Sequence, residues 1–409
     1  MPLDYQSVYA AVTRWETQVK DFYQKQEARE KEAWESLHAW SERLEPLAQR
    51  VAKAMDEVPY WRSAMPAQEP LTQAVDPPAD AASRVAEAIV LAADGSQIEP
   101  NPHASVYFAL VNVGAVAMAA GIPPRTHVTS TLWTPEALAS GHLQVSLQRD
   151  LRERAVLAEI VEALHISKPP AAGASWEAFV ADLSAEAPVL ALTDGPLELW
   201  GAKDDEGSSF RLALEAYRKS LETLQRYQAI AAGFVDKPHA NLVVHLLELA
   251  LLDKAPSKHE AQAISRGEAR LQGVTDTALF GRLLKPGQRS AVFALASQSR
   301  NDYTGALALH FFYLNTSLDP EQPNIARVEI PAWVAEDAEA LATLHAVLVW
   351  QSRRVPQIPY PYILHRAHEV AVVHREERDV VESWLCQVLV ANGRSRCIPS
   401  AKQRLKDLH

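Results

Sequence analysis

Cysteine is almost missing from this chain. Its 409 residues hold two, Cys386 and Cys397, with no Cys-x-x-Cys pair. That argues against a secreted disulfide framework and against a structural zinc site. Long apolar runs are missing too: no stretch of eighteen apolar residues lacks charges, so no membrane-spanning helix is expected. The opening MPLDYQSVYAAV has no basic segment ahead of an apolar core, so no export signal is expected and a cytoplasmic location is the default. A Gly-x4-Gly-Lys-Ser/Thr loop does not occur, which sets ATP hydrolysis aside. Positive charge is in deficit, with 51 acidic against 40 basic residues and a net charge of −11. Such a balance speaks against an indiscriminate nucleic-acid binder, although the local field of a groove, or a basic partner, decides that question.

What is present is the composition of a folded protein, 48% hydrophobic and 22% charged. Residues 1–57 read as a helical arm, with Trp34, Leu37, Trp40, Leu44, Leu47 and Val51 at steps of three and four. Residues 58–84 hold five prolines and read as a linker. From 85 to 391 apolar strand patterns are separated by helical ones, which predicts a mixed α/β sheet flanked by helices. AAGIPP reads as a turn between two of these strands. Residues 392–409 are left as a tail.

Two segments carry the chemistry. AIVLAADG at 88–95 and PVLALTDG at 188–195 each run an apolar strand into Asp-Gly. If the strands are neighbours, Asp94 and Asp194 converge at one sheet edge, and the glycines permit tight turns and close backbone approach. Paired aspartates repel and must share protons or a cation, and a hard divalent ion suits oxygen ligands. A third carboxylate is available in the helix DLRERAVLAEIVEAL at 150–164. Glu153 projects onto its apolar stripe, where an uncompensated charge is costly. Glu159 and Glu162 fall on the other side, and Glu159 is kept as the alternative to Glu153.

A strand-end Asp, a helical Glu and a second strand-end Asp form the pattern of ribonuclease-H-like nucleases. The chain resembles the NurA family through an ordered set of segments: AADGSQ at 92–97, LTDGPL at 192–197, GFVDKP at 233–238, LLKPGQRS at 283–290, FFYL at 311–314, RVEIPAW at 327–333 and YPYILHRAHEVA at 360–371. The resemblance implies a ribonuclease-H-like fold and a metal-dependent DNA nuclease with 5′-to-3′ exonuclease and single-strand endonuclease action. It also implies two Mn²⁺ (or Mg²⁺) ions per site, a HerA-type hexameric ATPase as partner, and a homodimer. The family's late Tyr and His match Tyr360 and His368, so the expected catalytic set is Asp94, Glu153, Asp194, Tyr360 and His368. Asp94, Glu153, Asp194 and His368 are the expected metal ligands. Lys237, Lys285, Arg289 and Arg327 are candidates for phosphate contacts. HRAHE is not His-Glu-x-x-His, which excludes a zincin. A non-catalytic adaptor of a HerA-type ring is the alternative from another class.

Overall fold

The computed structural model describes residues 3–139, 143–166, 176–199, 209–355, 357–393 and 397–398. In chain order the elements are α1 (Tyr5–Ala39), α2 (Leu44–Glu57), β1 (Arg62–Pro66), β2 (Ala74–Val75), α3 (Ala81–Glu87), β3 (Ile89–Ile98), β4 (Ala109–Ala119) and β5 (Ile122–Trp133). Then come α4 (Pro135–Leu138), α5 (Val145–His165), α6 (Glu177–Val180), β6 (Val189–Asp194), α7 (Ser209–Arg226), β7 (Ile230–Val235), α8 (Leu242–Ala250), α9 (Lys258–Ser265) and α10 (Asp276–Leu283). The chain closes with β8 (Arg289–Ser290), β9 (Phe293–Ser297), β10 (Leu309–Asn315), β11 (Ile325–Pro331), α11 (Ala332–Ala335), α12 (Ala338–Ser352), α13 (Tyr362–Ala371) and α14 (Arg375–Ala391).

Two compact units share these elements. The first comprises Met1–Pro77, Asp236–Thr304 and Ala308–Val328; the second comprises Pro78–Val235, Gly305–Leu307 and Glu329–His409. In the first, β1 runs antiparallel to β9 and β9 antiparallel to β10. Its core holds Phe280, Phe293, Phe311 and Tyr313, with Phe280 stacked on Tyr313 at 4.4 Å between ring centres. Asp276 is fully buried there and accepts from the Val243 and Val244 amides at 2.9 and 2.8 Å, satisfying two donors at the start of α8. The proline-rich segment 58–84 therefore does more than link. It supplies β1, whose Pro66 stands at the strand end, and it buries Trp61, whose indole N–H donates to Ser63.

The second unit orders its strands β7–β6–β3–β4–β5. Strands β3, β4 and β5 form an antiparallel meander, while β6 pairs parallel to β3 and β7 parallel to β6. The strands in the parallel part are apolar throughout because helices cover both faces. Ile89–Ala93, Val189–Thr193 and Ile230–Phe234 are all buried. β5 lies at the end of this order, and its residues are exposed or half-buried. That explains why the expected AAGIPP turn is shorter than it reads. Gly121, at φ +75°, makes the turn, and Ile122-Pro123-Pro124 already belongs to β5. A strand at the end of the order can tolerate residues that lack an N–H.

α5 and α13 pack on the meander. α13 reaches β4 at Gly114, where an added Cβ would lie 2.7 Å from the Ala371 nitrogen and 2.8 Å from the Val370 carbonyl carbon. Both obstacles are backbone and cannot rotate away. The end of the helix is fastened as well: the Ala371 carbonyl accepts from Ser96 Oγ at 2.5 Å and from Asn112 Nδ2 at 2.8 Å. Gly114→Ala is expected to destabilise the fold by about 1–3 kcal/mol through overpacking. Thermal unfolding checks this, and an unchanged midpoint would mean α13 is not seated on that strand.

Candidate active site

Asp94 and Asp194 are placed by strand register. The β3–β6 pairing runs from Ile89 opposite Val189 to Ala93 opposite Thr193. The next residue on each strand is the aspartate. The two therefore stand level on adjacent parallel strands, about 4.8 Å apart in the hydrogen-bonding direction, on the same side of the pleat. The expected convergence at one edge holds at the level of the backbone.

The glycines differ from expectation. Only Gly195, at φ +92°, turns the chain. β3 does not end at Asp94 but continues antiparallel to β4 as far as Ile98, so Gly95 is a strand residue. Its lack of a side chain serves α5 instead: a Cβ there would sit 2.6 Å from Glu153 Oε1 and 2.6 Å from Arg149 Cγ. Glu153 thus approaches the backbone beside Asp94 from the α5 side.

The sequence left Glu153 and Glu159 open, and the geometry separates them. Glu159 is half-buried and engaged by Arg152 and by the Trp176 indole N–H. Glu153 is 5% exposed. Its nearest cations are Arg149 Nε at 3.2 Å and Arg154 at 3.8 Å. Burial pushes its carboxyl up to about 8; Arg154 and Arg149 oppose the shift, and Asp94 and Asp150 add to it. Glu153 is therefore the acidic side chain that shares Asp94's surroundings.

Asp94 is held from two directions. Oδ1 accepts the Gly95 amide at 2.8 Å, and His368 Nδ1 lies 2.8 Å from Oδ2. A carboxylate only accepts, so the imidazole donates through Nδ1. The His368 side chain is 63% exposed. His365 lies away from this contact, with Nε2 3.4 Å from Glu369. Tyr360 packs edge-on against Phe234 at 5.5 Å between ring centres. Phe234 is paired with Asp194 in register, so Tyr360 stands one strand beyond the second aspartate.

Other residues hold the loop after Asp194 in place. The amide of Gly195 donates to Phe234 O at 2.8 Å. Arg154, buried on α5, donates to Pro196 O at 2.8 Å and to Asp150 O at 2.8 Å, with its guanidinium 5.1 Å over the Tyr217 ring. The Leu197 amide donates to Glu329 at 3.0 Å, and the Tyr217 hydroxyl donates to Leu197 O at 2.6 Å. Glu329 is thus a buried anchor for this loop. The periodicity of α5 marks Arg154 as an out-of-place cation on a buried face, which is the one hint the sequence offers.

The four basic candidates belong to the first unit and divide by burial. Lys237, at φ +43°, and Lys285 are exposed. Arg289 is buried, and its guanidinium donates to both Glu69 oxygens at 3.1 Å and to Ser290 O at 2.8 Å. Arg327 is buried beside Tyr313. Those two arginines are committed within the fold.

Among the described residues no three His, Cys, Asp or Glu side chains close into a ready metal cage. The donor chemistry nevertheless fits a hard divalent cation. Asp94, Asp194 and Glu153 offer carboxylate oxygens, His368 an imidazole, and burial disfavours the charge on Glu153 despite Arg149 and Arg154 beside it. No described helix is long and apolar enough to cross a membrane.

An antiparallel three-strand meander extended by two parallel strands, with acidic residues level on the adjoining first and fourth strands, is a ribonuclease-H-like fold. Helices flank this mixed sheet. The chain belongs to the NurA family, whose domain model matches residues 88–373. It is similar to the crystal structure of the NurA nuclease from Sulfolobus solfataricus, at 11% identity and a TM-score of 0.44, over 94% of this chain and 98% of that one. It is also similar to the catalytic domain of human endonuclease V, at 13% identity and a TM-score of 0.32, over 84% and 98%. No curated protein matches the chain.

The raised Glu153 carboxyl gives a prediction for the metal-free protein. Its folded value lies above the unfolded 4.5, so the folded state holds more protons between about 4.5 and 8, and stability falls as pH rises through that window. Glu153→Gln removes the penalty. The variant should unfold like wild type near pH 4 and be more stable by on the order of a few kcal/mol at pH 8. Urea unfolding at both pH values checks this; an equal difference at both would show that folding does not raise the Glu153 carboxyl.

Proposed function

We propose that this protein is a metal-dependent deoxyribonuclease that hydrolyses phosphodiester bonds at the Asp94–Asp194 edge. The observation that carries this is the level placement of the two aspartates on adjacent parallel strands, with the buried Glu153 against Gly95. Membership of the NurA family supports it, and the solved NurA relative bears the name of a nuclease.

Asp94, Asp194 and Glu153 would hold the cations, Mn²⁺ or Mg²⁺, with His368 as a further ligand or phosphate contact. When bound, two such ions lower the pKa of a water and neutralise charge on the leaving oxygen. The chain's own residues supply the rest. Asp94 orients His368 through Nδ1, which presents Nε2 as a lone pair for a cation in the neutral imidazole and as a donor to a phosphate oxygen or the leaving group only in the imidazolium. Glu153 keeps its proton at neutral pH until a cation compensates its charge. Tyr360, beside Phe234, would hydrogen-bond the phosphate, as the family resemblance implies. Lys237 and Lys285 are the exposed cations for the DNA backbone, whereas Arg289 and Arg327 stay with their internal partners.

The finer assignment follows the family: 5′-to-3′ exonuclease and single-strand endonuclease action, two ions per site, a HerA-type hexameric ATPase supplying energy, and a homodimer. The negative net charge fits weak affinity for DNA in isolation, falling further with salt.

The test is digestion of end-labelled single- and double-stranded DNA, with an RNA control, in Mn²⁺. Wild type should cleave DNA. Asp94→Asn and Asp194→Asn should each lose at least about 100-fold in rate, the scale of removing one preorganised charge-stabilising group. His368→Ala should lose about 10–100-fold, as for a residue that orients a ligand. Wild type that binds DNA without cutting it would favour the adaptor, and equal activity in Asp94→Asn would move the site elsewhere.

A further inference from the structure

Arg149 brings a guanidinium to the acidic edge from α5, one turn before Glu153. Its stem crosses Gly95, where an added Cβ would meet Arg149 Cγ at 2.6 Å and Cδ at 3.2 Å. Its head sits among acids. Nη2 donates to Asp150 at 2.8 Å, and Nε lies 3.2 Å from Glu153 Oε1. Burial opposes its charge, while Asp150, Glu153 and Asp94 support it.

Two other arginines of α5 are committed elsewhere. Arg154 is buried and donates to the Pro196 and Asp150 carbonyls, and Arg152 pairs with Glu159. The Arg149 side chain keeps 34% of its surface in water, and its Asp150 partner keeps 25%. Ion pairs this open hold a side chain weakly. The head can therefore turn outward while the stem stays on Gly95. Glu153, by contrast, is buried and cannot follow it. A divalent cation on Glu153 and the guanidinium would claim the same carboxylate. Like charges a few ångströms apart repel strongly where burial weakens screening.

We propose that Arg149 holds the place of a divalent cation on Glu153 and moves to a substrate phosphate when that cation binds. The assignment rests on the nuclease reading of the same site. A guanidinium suits both posts, because its planar fork matches carboxylate and phosphate alike. The displaced arginine loses one anion and gains another. Metal and DNA then favour each other, since DNA draws off a positive charge that opposes the metal. An arginine that only braced α5 would act differently: its removal would weaken metal binding and cleavage together.

Binding of Mn²⁺ to the DNA-free protein at pH 8, with free Mn²⁺ read by electron paramagnetic resonance, is the first test. Arg149→Met keeps a stem over Gly95 and removes the charge. It should bind Mn²⁺ at least about 5-fold more tightly than wild type. Arg149→Lys keeps the charge and should stay within about 2-fold of wild type. Cleavage of single-stranded DNA at saturating Mn²⁺ should move the other way. Arg149→Met should lose about 10–100-fold in kcat/KM, the scale of one charge-assisted hydrogen bond. Arg149→Gln should shift both readouts in the same directions, so a folding defect in one variant does not decide the matter. Variants that bind Mn²⁺ no better than wild type, or that cleave DNA as well, would overturn the proposal. If Asp94→Asn still loses Mn²⁺ and cleavage, the nuclease reading stands and only the role of Arg149 falls. Asp94→Asn that binds and cuts like wild type would overturn both.

Discussion

Parallel pairing of β3 with β6 brings two acidic residues level on strands whose backbones lie about 4.8 Å apart. Electrostatics opposes that arrangement, and backbone pairing imposes it. The pairs from Ile89–Val189 to Ala93–Thr193 are buried on both strands, so a slip by one residue would unpair apolar backbone and move each packed side chain to the opposite face of the sheet. The carboxylates cannot relieve their repulsion by moving the strands. They can do so only through protons, hydrogen bonds or a cation. The chemistry of the site follows from that constraint.

The neighbouring groups divide the work. Asp94 is steadied by its own strand and by the imidazole from α13. The loop after Asp194 has its backbone groups taken up one by one, Gly195 by β7, Pro196 by Arg154, Leu197 by Glu329 and Tyr217. Arg154 and Glu153 are adjacent on α5, so the helix that brings the third carboxylate also holds the loop that carries the second aspartate. A charge buried next to an opposite charge would usually be neutralised by it. Here Arg149 at 3.2 Å and Arg154 at 3.8 Å both attract Glu153, yet burial outweighs them and raises its carboxyl.

Much of this was legible in the sequence because apolar strands carry a plain signal. The runs before Asp94 and Asp194 marked buried parallel strands, and the projection of α5 put Glu153 on the covered face. His368 and Tyr360 were legible only through the family resemblance, since nothing in their local pattern tells of α13 lying on β4. The role of Gly95 was misread because Asp-Gly looks the same in a turn and in a strand that must admit a neighbouring helix. Arg289 and Arg327 look like surface cations in sequence; what commits them is Glu69, far along the chain, and Tyr313 on the neighbouring strand. Segment 58–84 reads as a linker because its prolines mask a short strand whose partner, β9, lies more than two hundred residues away.

The contact at Gly114 has a further consequence. At Gly114 the strand itself contributes no side chain, so the helix backbone at Val370 and Ala371 rests directly on it. The height of the His368 imidazole over the sheet is therefore set by van der Waals radii of main-chain atoms. Drift in the residues around it can alter the helix's outer surface while leaving that height unchanged.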